Sequence, residues 1–233
     1  EKAAAGTKEE TGISFEFAAE GTVTEITATG IGAHASTPDV GNNALTGLLV
    51  FLGKLDFASC SQVDMVRKTA SLFPHGDVNG KTLGVAMEDE LSGNLTLSFN
   101  MLSVDAASMD GEFDGRIPVC GNDENVLEVV RARMAEQGLT LLNKALIPPH
   151  HVSADSYFVK TLLAAFELYT GRKGECQALG GGTYVHHLEN GVAFGAAMPE
   201  TDNKMHGPDE FAVVDELLVS AKIFAQAIVD LCG

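Results

Sequence analysis

Histidine, arginine and short glycine runs stand out in four segments of the sequence, each combining polar side chains with backbone features that helices and strands do not need. The first is Gly30-Ile31-Gly32-Ala33-His34-Ala35-Ser36-Thr37-Pro38, and the second is Asp114-Gly115-Arg116-Ile117-Pro118. The third is Gly180-Gly181-Gly182-Thr183-Tyr184, and the fourth is Met205-His206-Gly207-Pro208-Asp209-Glu210. Imidazoles hydrogen-bond, carry protons near neutral pH and ligate metals, and a guanidinium grips anions through a planar fork of donors. Each segment also has a plain structural reading. A single His is usually a hydrogen-bonded surface residue, and three glycines usually make a turn. Asp114 shares a strand face with Arg116 and is its natural salt-bridge partner.

The segments sit between readable elements. Ile13, Phe15 and Phe17 alternate with polar residues and Thr22 to Thr29 is rich in β-branched residues, which predicts two adjacent strands turning at Ala19-Glu20-Gly21. A helix starts near Asn42 or Asn43, with Leu45, Leu48, Leu49, Leu52 and Leu55 as its apolar stripe. Residues Phe57 to Asp89 are less regular, and Phe73-Pro74-His75-Gly76-Asp77 reads as a loop. Strands are predicted at Leu95 to Leu102 and Glu112 to Val119. A helix then opens at Asn122 or Asp123 with Val126, Val129 and Val130 inward and stops at Gly138. Leu139 to Ile147 is a further strand candidate. Pro148-Pro149-His150-His151 marks a boundary. Beyond it the pattern predicts a helix carrying Val159, Leu162, Leu163 and Phe166 to Gly171, then strands at Cys176–Leu179 and Val192–Met198. The last helix is capped by Asp215, with Leu217, Leu218, Ala221, Phe224, Ala225 and Ile228 on one face. The fold expected is an α+β domain over residues 1–148, with helices on a mainly antiparallel sheet, followed by an α/β portion over residues 149–233.

Composition narrows the function classes. A length of 233 residues suits one large or two small domains, and 45% hydrophobic against 20% charged residues is the balance of a soluble protein with a core. A net charge of −17 with no basic run argues against nucleic acid. No stretch is apolar enough to span a bilayer. Cys60, Cys120, Cys176 and Cys232 form no Cys-x-x-Cys pair, which argues against a zinc knuckle. Scattered cysteines and the lack of an apolar signal-peptide core at Glu1–Lys8 point to the reduced cytoplasm. That opening stretch resembles a connection inside a longer chain.

Taken in order, the stretches AHASTPDVGNNAL, FPHGDVNGKTLGVAMEDELSG, GRIPV, GGGTY with GVAFGA, and MHGPDEF resemble the dinuclear-zinc dipeptidases of the dipeptidase V type. These belong to the superfamily of aminoacylases, desuccinylases and glutamate carboxypeptidases. The resemblance covers nearly the whole chain. It implies a lid domain over residues 1–148, lacking its first strand, and the C-terminal portion of a zinc-peptidase catalytic domain over residues 149–233. His206 matches the C-terminal ligand of a two-zinc site. His34 matches the lid histidine that stabilises the oxyanion, and Arg116 matches the arginine that holds a dipeptide's terminal carboxylate. Gly181, Gly182 and Thr183 match the turn that lines the substrate's carboxylate end.

The departures from the family pattern are as informative. A His-x-Asp-x-Val-Pro motif, a bridging Asp, a Glu-Glu pair and a further acidic ligand are expected before the lid, and none is present. His75-Gly76-Asp77-Val78 has the His-x-Asp form but continues with Asn79, and Glu9-Glu10 follows no apolar strand. His186 and His187 stand where the family often has an arginine. The chain is therefore expected to need a missing N-terminal catalytic segment as partner and to be inactive alone. A deacylase of the same superfamily and a non-catalytic binding or dimerisation module are the alternatives.

Overall fold

The structure, a computed structural model, describes residues 1–195, 198–204 and 209–233. Packing divides the chain into two units. The first comprises Glu1–Pro149 together with Ala178–Gly181, and the second comprises His150–Gln177 with Gly182–Gly233.

The first unit begins with α1 (Lys2–Thr11), where the sequence suggested only a connecting stretch. Three successive alanines favour helix, and Gly12, at φ 74°, closes it by donating to the Lys8 carbonyl. Then come β1 (Ser14–Glu20) and β2 (Val23–Thr29), an antiparallel hairpin pairing Ser14 with Thr29. Ile13, just before β1, is fully buried against α2 (Ala44–Gly53). A Cβ on Gly47 of α2 would fall 2.4 Å from Ile13 Cγ1, so only glycine permits this approach. Asn43 caps α2 by accepting from the Thr46 N–H at 3.0 Å, where the sequence placed the helix start.

Helix α3 (Ser61–Leu72) lies in the stretch that reads as irregular. Its N-cap is Cys60 and makes no side-chain cap bond, so the usual start signal is missing. A short hairpin of β3 (Glu88–Asp89) and β4 (Gly93–Asn94) precedes the ladder of β5 (Thr96–Val104) and β6 (Met109–Arg116). Among the described residues all strand pairing is antiparallel and divided among three two-stranded ladders. Leu97 and Phe99 of β5 point into the core, where Phe73 stacks on Phe99 at 4.6 Å and lies 5.2 Å from Phe113. Leu49, Leu72, Leu83, Val85, Leu95, Val126 and Val130 complete the buried part of that cluster.

Asn122 accepts from the Glu124 and Asn125 N–H groups and opens a π turn that runs into α4 (Glu128–Glu136). No strand forms over Leu139–Ile147. Leu139, Leu141 and Leu146 pack on the core while Leu142 and Ile147 remain exposed. An alternating apolar run without a ladder partner has no reason to be a strand.

The second unit pairs α5 (Tyr157–Thr170) with α6 (Val214–Cys232). Ser156 caps α5, and Gly171 ends it at φ 65°. Leu162 and Ala165 meet Ile223 and Ala227. The face of α6 expected to be buried is exposed at all six positions, Leu217, Leu218, Ala221, Phe224, Ala225 and Ile228, and Ser220, Ile223 and Ala227 are buried instead. One helix partner covers a narrow stripe, and small residues are what let two helices approach closely. Asp215 lies in the first turn rather than at the cap, which is Val213. Residues 176–179 form no strand, nor do the described residues of the run expected at Val192–Met198, of which 196 and 197 lie outside the described residues; among the described residues neither run has a ladder partner.

A carboxylate staples the β3–β4 hairpin to the turn that follows Arg116. Asp89 Oδ1 accepts from Leu91 N, Ser92 N and Ser92 Oγ, and Oδ2 accepts from Cys120 N. The Ser92 N–H, outweighing desolvation and aided by the other donors, lowers the Asp89 pKa to about 2. A folded pKa below the ordinary 3.8 gives stability that is present above that value and lost as pH falls towards about 2. Asp89→Asn is therefore expected to lower the urea midpoint at neutral pH, with the gap to wild type closing through that acid window. A gap that stayed constant down to the acid end would contradict the staple.

Candidate functional site

The loop carrying His34 is closed at its base by two backbone bonds, Ile31 N to Asn42 O at 2.9 Å and Asn42 N to Ile31 O at 2.8 Å. Within it, Thr37 N donates to the His34 carbonyl at 2.9 Å. His34 is exposed, and Ser36 N donates to its Nδ1 at 3.2 Å while Ser36 Oγ lies 2.7 Å from the same nitrogen. A backbone N–H can only donate, so Nδ1 is the acceptor and a neutral ring carries its proton on Nε2.

Thr96, the first residue of β5, joins this loop to the ladder. Its Oγ1 donates to the Ala35 carbonyl at 2.9 Å, and across the ladder Thr96 stands opposite Arg116. Arg116 is paired with Asp114. Nη2 donates to Oδ2 at 2.9 Å. Nε lies 2.7 Å from Oδ1 at ion-pair distance, yet its buried N–H is not aimed to form a hydrogen bond. The two side chains are 28% and 35% exposed, so the pair adds about 1 kcal/mol or less to stability.

Arg116 lines a cleft of about 530 Å³ together with Ser36, Thr37, Asn94, Thr96 and Gly180. Gly180 is pressed into this corner. A Cβ there would fall 2.6 Å from Ser36 Cβ and 3.7 Å from Arg116 Cβ. The absence of a side chain lets the 178–181 segment form a wall of the cleft. Three of the four sequence segments thus meet within the first unit, namely the His34 loop, the end of β6 and the start of the glycine run. Hydroxyls, the Asn79 and Asn94 amides and one carboxylate, Asp39, also line the cleft, and the Arg116 guanidinium is the cationic group there that suits a small anionic ligand.

Gly181 belongs to the first unit, whereas Gly182 and Thr183 belong to the second. Thr183 N donates to His186 Nδ1 at 3.4 Å and precedes a 3₁₀ turn over Tyr184–His187. The His186 ring is 5.6 Å from that of His150, whose Nε2 donates to the Gly191 carbonyl. His206 lies outside the described residues. Among the described residues no three His, Cys, Asp or Glu side chains come together as a metal site. The His-x-Asp sequence at 75–77 is taken up locally: His75 Nδ1 pairs with Thr46 Oγ1, and Asp77 accepts from the Lys81 and Thr82 N–H groups. Glu10 pairs with Lys54.

Thr96 and Gly180 are the residues that sequence reasoning did not mark. Thr96 has no motif, and only its register opposite Arg116 would have singled it out. Gly180 was part of the glycine run, but its contact with Ser36 is tertiary.

No protein-family model matches the chain. Homologues are named dipeptidases. A Beta-Ala-Xaa dipeptidase of Lactobacillus delbrueckii subsp. lactis is 34% identical over 219 residues, 94% of this chain and 46% of that protein. The protein named "Putative dipeptidase YtjP" of Bacillus subtilis is 37% identical over 207 residues, 87% of this chain and 43% of its own length. A Staphylococcus epidermidis protein also named as a dipeptidase is 29% identical over 209 residues, 89% of this chain and 44% of its own. The chain is thus similar over nearly its whole length to bacterial proteins named as dipeptidases, and it spans less than half of theirs.

Proposed function

We propose that this chain is the lid and C-terminal portion of a dipeptidase, and that the cleft beside Arg116 receives the terminal carboxylate of the dipeptide. One observation carries the reading: Arg116, the His34 loop and Gly180 assemble around a single cleft although they lie far apart in sequence. Similarity to proteins named as dipeptidases supports the substrate class.

In this reading the Arg116 fork binds the carboxylate by charge-assisted hydrogen bonds, which set the position of the peptide bond relative to the rest of the enzyme. His34 donates from Nε2 to the carbonyl oxygen as negative charge develops there. Its Nδ1 bond with Ser36 N favours that tautomer. The two zinc ions implied by the resemblance need donors that the described residues do not bring together. Those donors, with the general base, are assigned here to the part of the longer polypeptide that this chain does not span, joined by His206. On this basis the 233 residues alone have no turnover, and zinc-dependent hydrolysis of a simple dipeptide by the purified chain would contradict the assignment.

Arg116→Met in the natural full-length polypeptide tests the carboxylate reading. Loss of a partly desolvated, charge-assisted pair is worth roughly 2 to 4 kcal/mol, or about thirty- to a thousandfold in kcat/KM on dipeptides. Dipeptide amides have no terminal carboxylate and should show no such loss. An equal loss on both substrates would mean that Arg116 supports structure only.

A further inference from the structure

Asp114 and Arg116 sit side by side on one face of β6, two residues apart, opposite Ser98 and Thr96 of β5. The core-facing positions on this ladder are the intervening ones: Phe113 opposite Phe99, and Gly115 opposite Leu97. The carboxylate therefore meets the guanidinium on the side of the ladder away from the core. It occupies the Nε and Nη2 edge, with Oδ1 2.7 Å from Nε and Oδ2 accepting from Nη2. Among the described residues Nη1 has no hydrogen-bond partner, and unlike Nε it is not sealed from solvent. Arg116 lines the cleft and Asp114 does not.

We infer that Asp114 is a positioning residue, which holds the Nε and Nη2 edge of Arg116 so that the Nη1 side of the fork is presented to a ligand carboxylate in the cleft. The inference rests on the carboxylate reading given above. A guanidinium on a flexible stem loses rotamer freedom when it binds, and a second carboxylate already holding one edge removes much of that cost beforehand. The same carboxylate also neutralises part of the charge that attracts an anion, so two effects of opposite sign compete. Orientation is expected to outweigh charge because the pair is partly buried and Arg116 lines the cleft. A misplacement of about 1 Å in a binding group can reduce rate by up to a hundredfold.

The test is kinetic and uses the natural full-length polypeptide with Asp114→Asn, Arg116→Met and the double variant, on dipeptides and dipeptide amides. Asparagine keeps the size of aspartate, so the strand is retained. Asp114→Asn is expected to raise KM for dipeptides roughly tenfold, with little change in kcat and none for amides. In the Arg116→Met background it should change nothing further, because it acts only through the guanidinium. A gain in dipeptide affinity in Asp114→Asn would show that Asp114 merely competes for the cation, and would overturn the inference while leaving the carboxylate reading intact. A loss that is equal on amides, or that persists in the double variant, would show a structural role and overturn it as well. If Arg116→Met itself affects dipeptides and amides alike, the carboxylate reading fails and the inference falls with it.

Discussion

Thr96 and Arg116 face each other across the β5–β6 ladder, and each reaches away from it to a different part of the cleft. Thr96 holds the Ala35 carbonyl and with it the loop of His34, while Arg116 lines the cleft beside Gly180. The register that sets them opposite is fixed by the other face of the same strands. Leu97 and Phe99 are buried, and Phe99 and Phe113 both meet Phe73. A slip of one residue would turn every side chain of β5 to the wrong face, bringing Thr96 and Ser98 into the apolar core and Phe99 into water. Burying an aromatic side chain is worth a few kcal/mol, more than the Arg116–Asp114 pair can supply. The core thus decides where the polar residues point.

The cation at this cleft works within an acidic chain. Fifteen Lys and Arg stand against thirty-two Asp and Glu. At physiological ionic strength exposed charges are largely screened beyond about 8 Å, so the distant acidic surface does little to a bound carboxylate. What matters is the immediate surroundings, where Asp114 is the acidic group in direct contact with Arg116. Directed hydrogen bonds at short range, rather than the field of the whole chain, would have to select a small anion here.

Much of the framework was legible from local signals. The β1–β2 hairpin, the start of α2 at Asn43, the β5–β6 pair and the end of α5 at Gly171 all follow from alternation, capping or a left-handed glycine. Elements without such signals were missed: α3 starts at Cys60 with no side-chain cap, and α1 reads as a linker because it has almost no apolar stripe. Apolar runs at Leu139–Ile147 and Cys176–Leu179 look like strands, but a strand exists only with a partner, which a local pattern cannot supply. For the candidate site, His34 and Arg116 stood out because their neighbours form a motif. Thr96 and Gly180 did not, because their importance lies in a cross-strand register and in a corner where a Cβ on residue 180 would fall 2.6 Å from Ser36 Cβ.

The most direct measurement is a crystal structure of the natural full-length polypeptide with a non-hydrolysable dipeptide analogue. The proposed role of the cleft requires the analogue's terminal carboxylate within hydrogen-bond distance of the Arg116 guanidinium, with Asp114 still on the Nε side. A carboxylate bound elsewhere, with Arg116 engaged by Asp114 alone, would contradict it.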